Sequence, residues 1–109
     1  MIFITQGNFS REAMAGMVAK PEDRATTVAK LAKQAGGKLL AYYVTFGEYD
    51  FLTVMEGPDP QSMASALMVV GATGGVTNLK TTVAMTSADA KKCFEAAGDI
   101  AKSFRPAGK

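Results

Sequence analysis

The sequence contains no histidine, and its 109 residues include a single cysteine, Cys93. Without histidine the chain cannot form a Ser-His-Asp or Cys-His catalytic centre, a histidine-ligated metal site or a histidine-bound haem. A single cysteine excludes both an intramolecular disulfide and a thiolate zinc site within one chain. The sequence also lacks dense carboxylate clusters and cofactor motifs. We therefore expect no metal and no cofactor.

Charge of either sign is modest, with a formal net charge of +2. The basic residues are spread along the chain, whereas phosphate recognition needs clustered Lys and Arg, so we expect no nucleic-acid partner. No apolar run approaches the roughly 20 residues of a membrane span. The N-terminal segment lacks the basic region and the apolar length of a signal peptide. These features favour a cytoplasmic protein with no membrane partner.

Runs rich in β-branched and aromatic residues predict four strands, and apolar residues spaced three and four apart predict the helices between them. The predicted elements are strand Met1–Thr5, one or two helical turns after Ser10, a helix from Pro21 to Ala35, strands Lys38–Phe46 and Phe51–Glu56, a helix from Pro60 to Val70, strand Val76–Thr86 and a final helix over 87–104. This order predicts one α+β domain over residues 1–109. Its expected fold is ferredoxin-like βαββαβ, with a four-stranded antiparallel sheet and an appended C-terminal helix.

A sheet of this type carries helices on one face, so the other face of a monomer should be polar. Strand two instead looks apolar on both sides. Its two alternating sets are Leu39, Ala41 and Tyr43, and Leu40, Tyr42, Val44 and Phe46. Because exposed apolar patches usually mark association sites, we predict a homo-oligomer formed through the sheet face. The alternative is that the C-terminal helix folds back over this face.

The most distinctive motif is the Gly47-Glu48-Tyr49-Asp50 connection between strands two and three. In this segment the sequence resembles the GYD domain family, small bacterial proteins with a ferredoxin-like fold. The family is named for a Gly-x-Tyr-Asp turn, which Gly47, Tyr49 and Asp50 match. The resemblance spans roughly Phe3 to Thr86. It implies the fold but no reaction, because the family's function is unassigned.

Two interpretations of this turn remain open. In the first, Gly47 and Asp50 fix the hairpin and its register, as glycine and aspartate commonly do in turns. In the second, Tyr49 and Asp50 lie at the rim of a pocket between sheet and helices or between subunits, with Glu48 as a further carboxylate. The ligand-binding candidates, with neighbouring strand residues included, are Tyr43, Thr45, Gly47, Glu48, Tyr49, Asp50, Lys80 and Thr82.

Strand four supplies the basic candidate, Lys80. Alternation along a strand places Lys80, Thr82 and Asn78 on one side, where a cation with hydroxyl and amide neighbours can hold a small anion. Lys80 can equally pair with Asp50 or Glu56 across the sheet, which the sequence favours because such cross-strand pairs are ordinary. Arg24 is a further possible anion contact.

Three functions are compatible with these observations. The leading one is an oligomeric module that binds a small molecule or a protein partner. The second is a cofactor-independent enzyme of the dimeric α+β barrel type. The sequence does not identify its catalytic residues, for which Tyr43, Tyr49, Asp50 and Lys80 are the first candidates. The third is a purely structural assembly unit. A binder or an enzyme should contain a partly enclosed pocket, whereas an assembly unit should have that volume filled by side chains.

Overall fold

The computed structural model describes residues 1–109 and contains four strands and four helices. In chain order they are β1 (Ile2–Phe9), α1 (Arg11–Ala19), α2 (Ala25–Gln34), β2 (Lys38–Val44), β3 (Phe51–Glu56), α3 (Pro60–Ala72), β4 (Val76–Ala84) and α4 (Ser87–Ala101). The strands form one sheet in the order β2-β3-β1-β4, and every neighbouring pair is antiparallel. The predicted α+β, ferredoxin-like fold is therefore confirmed.

The sheet has two different sides. Along β3, Phe51, Thr53 and Met55 are buried, while the alternating residues Leu52 and Val54 are only half-buried. This matches the alternation predicted for the strand. The side of Phe51 and Met55 faces the first three helices and is called the helix side. The opposite side carries no helix and is called the open side.

A small hydrophobic core holds the helices on the sheet. Phe3 of β1 and Met55 of β3 pack with Ala32 of α2 and Met63 of α3. Phe3 is the largest fully buried side chain of the chain. Only ten of the 109 residues are buried, and α1 contributes none of them. The helix layer therefore packs tightly on the sheet near the start of β1 and loosely elsewhere.

Some element boundaries differ from the prediction. The first strand continues through Gly7 to Phe9. The absence of a side chain at Gly7 makes room for the ring of Phe51, because a Cβ there would lie 2.8 Å from the ring atom Cζ. The segment after Ser10 is a nine-residue helix rather than one or two turns. The next helix begins at Ala25 instead of Pro21, since the carboxylate of Asp23 accepts the amide N–H of Ala25 at 2.9 Å.

Two irregularities in the strand pairing change which side chains share a face. In β2 the register shifts between Leu39 and Ala41, so that Leu39 pairs with Met55 and Ala41 with Val54. Leu39 therefore packs against the core, and the simple alternation predicted for strand two is wrong.

The second irregularity lies where Gln6 and Asn8 of β1 pair with Lys80 and Thr77 of β4. Asn78 adopts a positive φ of 53° in this bulge, a conformation that asparagine tolerates better than most residues. The regular alternation that would place Asn78 with Lys80 and Thr82 is interrupted at this point.

The last helix projects away from the domain. Thr86 caps it by accepting the amide N–H of Asp89 at 3.1 Å, and none of its residues is buried. The predicted alternative, in which this helix folds back over the sheet, is therefore wrong. Its apolar residues Phe94 and Ile100 are 76% and 67% exposed. No helix combines the length and hydropathy that crossing a membrane needs.

The connection between α2 and β2 generates a stability prediction. A Cβ on Gly37 would collide with the backbone carbonyl oxygen of Glu56, whereas a Cβ on Gly71 in α3 would meet open space. We expect Gly37→Ala to lower the free energy of unfolding by about 2 kcal/mol or more, the scale of a steric clash in a packed region. Gly71→Ala should be neutral or stabilising by up to about 1 kcal/mol. Urea unfolding followed by circular dichroism measures both, and equal effects would contradict the packing described.

Candidate functional site

A cavity of about 640 Å³ lies between the helix side of the sheet and the first three helices. It adjoins the Phe3 core, because Met55 and Met63 of that core contribute to its lining. Met17 of α1, Leu31 of α2 and Val70 of α3 face Phe51 and Val76 of the strands across it. Hydrophobic residues make up 15 of its 26 lining residues. Its size and lining are typical of sites that enclose a small molecule.

A row of hydroxyl groups crosses the helix side of the sheet, and those of Tyr42, Thr53 and Thr5 line this cavity. The strand register aligns Tyr42 with Thr53, Thr53 with Thr5, and Thr5 with Thr81. Thr5 and Thr53 are both buried. The hydroxyls of Thr5 and Thr81 are hydrogen-bonded at 2.9 Å, and that of Thr53 donates to the Thr5 carbonyl at 3.4 Å. Buried hydroxyls in an apolar lining are the kind of group that orients a ligand.

Aromatic packing fixes the position of Tyr42. Its ring stacks on that of Phe51 with an interplanar angle of 4° and ring centroids 6.5 Å apart. The ring centroids of Phe51 and Phe9 are 5.3 Å apart. Burial raises the pKa of the Tyr42 phenol above its usual value; the nearby Arg24 opposes this shift and Asp23 adds to it. The phenol is therefore protonated at neutral pH and can donate a hydrogen bond.

The connection between α1 and α2 forms a charged part of the cavity wall. Lys20, Glu22 and Arg24 of this segment line the cavity and are exposed, so they lie at its mouth. Arg24 donates to the carboxylate of Glu22 at 2.9 Å. With Lys30 of α2 the lining carries three cations and one carboxylate. No three Cys, Asp or Glu side chains converge in the chain, so the wall offers no metal-ligand set.

The residues of the predicted turn lie outside this cavity and close the β2–β3 hairpin onto β1. The carboxylate of Asp50 accepts the amide N–H of Phe9 at 3.0 Å, and the Asp50 amide donates to the Gly7 carbonyl at 2.8 Å. Around Asp50, the hydroxyl of Thr45 donates to the Tyr49 carbonyl at 2.6 Å.

Other contacts of the turn also involve its backbone. The side chain of Asn8 donates to the Glu48 carbonyl at 3.1 Å. Gly47 has a φ of +147°, which favours glycine. The contacts of Asp50, Thr45 and Glu48 support the structural interpretation of the turn, because all of them join one part of the hairpin to another or to β1.

The remaining candidates lie on the open side of the sheet. Tyr43 pairs with Leu52, Leu52 with Gln6, and Gln6 with Lys80, so Tyr43 and Lys80 occupy opposite edges of one row. Three strand spacings separate them by about 14 Å. Thr82 follows two residues later on the same side as Lys80.

The expected ion pair of Lys80 is absent. The ion pairs of the chain join Arg24 to Glu22, Lys91 to Glu95 and Lys102 to Asp99. The pairing of Lys80 with Asp50 or Glu56 is therefore wrong, and the strand order supplies the reason. β1 separates β4 from β3.

Sequence reasoning identified Arg24 but missed Tyr42, Thr5 and Thr53 as site residues. Each of these three looks like an ordinary strand residue in the sequence. Their alignment in one row depends on two strand pairings and on the irregularity in β2. All three lie within the span that resembles the GYD domain family, which marks none of them individually.

The hydrogen bonds of the turn predict that Asp50 stabilises the fold. We expect Asp50→Ala to lower the free energy of unfolding by about 1–3 kcal/mol, because it leaves the Phe9 amide without its acceptor. Glu48→Ala is the matched control, since Glu48 contributes its backbone carbonyl to the network. It should stay within about 0.5 kcal/mol of the parent. Thermal and urea unfolding of both variants measure the difference, and an unchanged stability for Asp50→Ala would remove the structural interpretation.

Among solved structures, the crystal structure of FFRP-DM1 is similar to this chain with a TM-score of 0.48 and 17% sequence identity. The similarity covers 77% of this chain and 97% of that one. None of the curated proteins matches the sequence.

The family comparison agrees with the resemblance seen in the turn. The model of the GYD domain matches residues 3–94, which include all four strands and the first part of α4. The chain therefore belongs to the GYD domain family.

Proposed function

We propose that the protein is a small-molecule-binding module whose ligand occupies the cavity between the sheet and helices α1 to α3. The observation that carries this proposal is the unfilled volume of about 640 Å³ over the middle of the sheet. A purely structural assembly unit would have this volume packed with side chains, because protein interiors are normally filled to crystal-like density. Without a ligand, the apolar side chains that line this space remain in contact with water, which is unfavourable.

The lining favours a largely apolar ligand with one anionic group. The apolar walls suit a hydrocarbon or aromatic body, and the excess of cations at the mouth suits a negative head. Arg24 keeps donors beyond the one it gives to Glu22, since a guanidinium has five. The protonated phenol of Tyr42 supplies a further donor to such a group.

The same lining supports binding over catalysis. Its single carboxylate, Glu22, is paired with Arg24 and exposed at the mouth. General acid–base chemistry needs a group that can exchange protons near neutral pH, and the raised pKa of Tyr42 moves that phenol away from neutrality. The cofactor-independent enzyme therefore remains the second candidate without an observation in its favour.

The proposal includes association of the chain with itself through the open side of the sheet. Ile4, Val54 and Ala41 form a half-buried apolar strip across three strands, and Tyr43 beside them is 61% exposed. Apolar patches of this kind usually mark interfaces. We also propose a bacterial, cytoplasmic setting, in keeping with the exposed free thiol of Cys93.

Filling the cavity tests whether it binds ligands. We expect Ala13→Phe, on the cavity side of α1, to weaken binding of the fluorescent probe 1-anilinonaphthalene-8-sulfonate by about tenfold or more, because the added ring takes up ligand volume. The control is Ala15→Phe, an exposed position of the same helix outside the lining. Fluorescence titration gives both affinities. Equal binding by the two variants would mean that the probe lies elsewhere.

The charge preference can be tested at the mouth. Arg24→Gln is expected to weaken decanoate binding by about tenfold, the typical value of one charge-assisted hydrogen bond, and to leave decanol binding unchanged. Arg11→Gln, on α1 and outside the cavity lining, controls for the loss of net charge. Isothermal titration calorimetry measures the four affinities. An equal loss for decanoate and decanol would contradict recognition of the anionic group.

A further inference from the structure

The isolated chain exposes more surface than its mass allows for a compact monomer. Its accessible surface is 7826 Å², whereas a folded monomer of this mass exposes about 5,800 Å². Its radius of gyration is 18.0 Å, against about 13 Å for a compact domain of this length. The excess is therefore about 2,000 Å². That is as much surface as one subunit of a stable homodimer contributes to its interface.

Helix α4 contributes a large part of this excess. Ala90, Phe94, Ala97 and Ala101 follow one another at spacings of four, three and four, and Ile100 flanks them, so they form one apolar stripe along the helix. The opposite face carries the charges Lys91, Lys92, Glu95, Asp99 and Lys102. An amphipathic helix with a continuous apolar stripe needs a surface to cover it, yet no residue of α4 is buried.

This helix does not cover the open side of its own chain. Only Met85 and Thr86 separate the end of β4 from the start of α4. Thr86 is extended, with φ −66° and ψ 156°. The molecule is 61 Å long and 30 Å wide, because the helix continues beyond the sheet. The apolar stripe therefore has no partner within its own chain.

We propose that α4 packs its apolar stripe on the open side of the sheet of a second copy, and that the second copy returns its own α4 in the same way. This inference rests on the proposed association through the open side and names what covers it. Each copy carries one unpartnered helix stripe and one unpartnered sheet face, so a two-fold pair satisfies all four surfaces. Helices then cover both faces of each sheet, a standard layer arrangement.

The area supports a second copy as the occupant. Burying the excess of each chain amounts to about 4,000 Å² in the pair, which is within the range of obligate homodimers. A foreign partner that covered only the helix or only the sheet would leave the other surface exposed. The reciprocal pair needs no other component.

The stripe is tested by a charge-matched pair of double variants. In the first, Phe94→Ser and Ile100→Ser remove the apolar stripe; in the second, Lys92→Ser and Asp99→Ser alter the charged face and preserve net charge. Multi-angle light scattering over a dilution series should show a dimer for the parent and the control. The stripe variant should dissociate about 100-fold more readily, the effect of losing two apolar anchors. A monomeric parent overturns both this inference and the association through the sheet, whereas a stripe variant as dimeric as the control overturns this inference alone.

Mixing distinguishes the reciprocal arrangement from pairing of two helices or two sheets. A face variant, Val54→Lys, or Tyr43→Lys if the first does not fold, should be monomeric like the stripe variant. A mixture of stripe and face variants retains one intact contact, with the face variant's helix on the stripe variant's sheet. We expect this mixture to form a heterodimer, detected by native mass spectrometry. If helices paired with helices, the face variant would stay dimeric on its own, and if sheets paired with sheets, the stripe variant would. Either outcome, or a mixture that stays monomeric, would overturn the proposal.

Discussion

The packing around Phe3 holds the helix layer to the sheet, and the rest of the structure depends on where that packing lies. Phe3, Ala32, Met55 and Met63 meet near the start of β1, the end at which β3 finishes. Beyond them the central strand β1 presents only the small residues Thr5 and Gly7 to the helices. Because α1 buries none of its residues against these small side chains, the two layers separate and leave a cavity. One aromatic anchor at one end therefore determines both the core and the site.

The hairpin turn that gives the family its name stabilises the opposite end of the sheet. Asp50 accepts from the Phe9 amide and donates its own N–H to Gly7, so the turn is tied to the central strand where the helix core gives no support. Gly7 in turn admits the ring of Phe51, which stacks on Tyr42. The turn thus positions the cavity floor through backbone contacts, although its own side chains do not line the cavity.

The fold was predictable from the sequence because its signals are local. Three such signals are the glycine pair Gly36-Gly37 that ends α2, the apolar spacing of α3 and the cap at Asp59, and each depends on neighbours within a few residues. The structure shows the Asp59 cap directly. The backbone amide of Ser62 donates to its carboxylate and lowers the pKa of that carboxyl. The site was less predictable because its residues meet through strand pairing. Thr5 and Thr53 are 48 positions apart, and nothing in either segment marks them as neighbours. Lys80 was expected beside Asp50 or Glu56, but strand order places β1 between them.

One inserted residue in β2 determines which side of the sheet each side chain of that strand faces. A regular strand would place Leu39 and Tyr42 on opposite sides, yet Leu39 packs in the core and Tyr42 lines the cavity. The extra residue is Leu40, which has no partner in β3. If Leu40 instead paired regularly with β3, a register that kept Leu39 in the core would turn Tyr42 to the open side. The same register would bring Tyr43 into the cavity. The bulge therefore lets a single strand supply a core residue, a hydroxyl for the cavity and an exposed aromatic residue for the open side, within five consecutive positions.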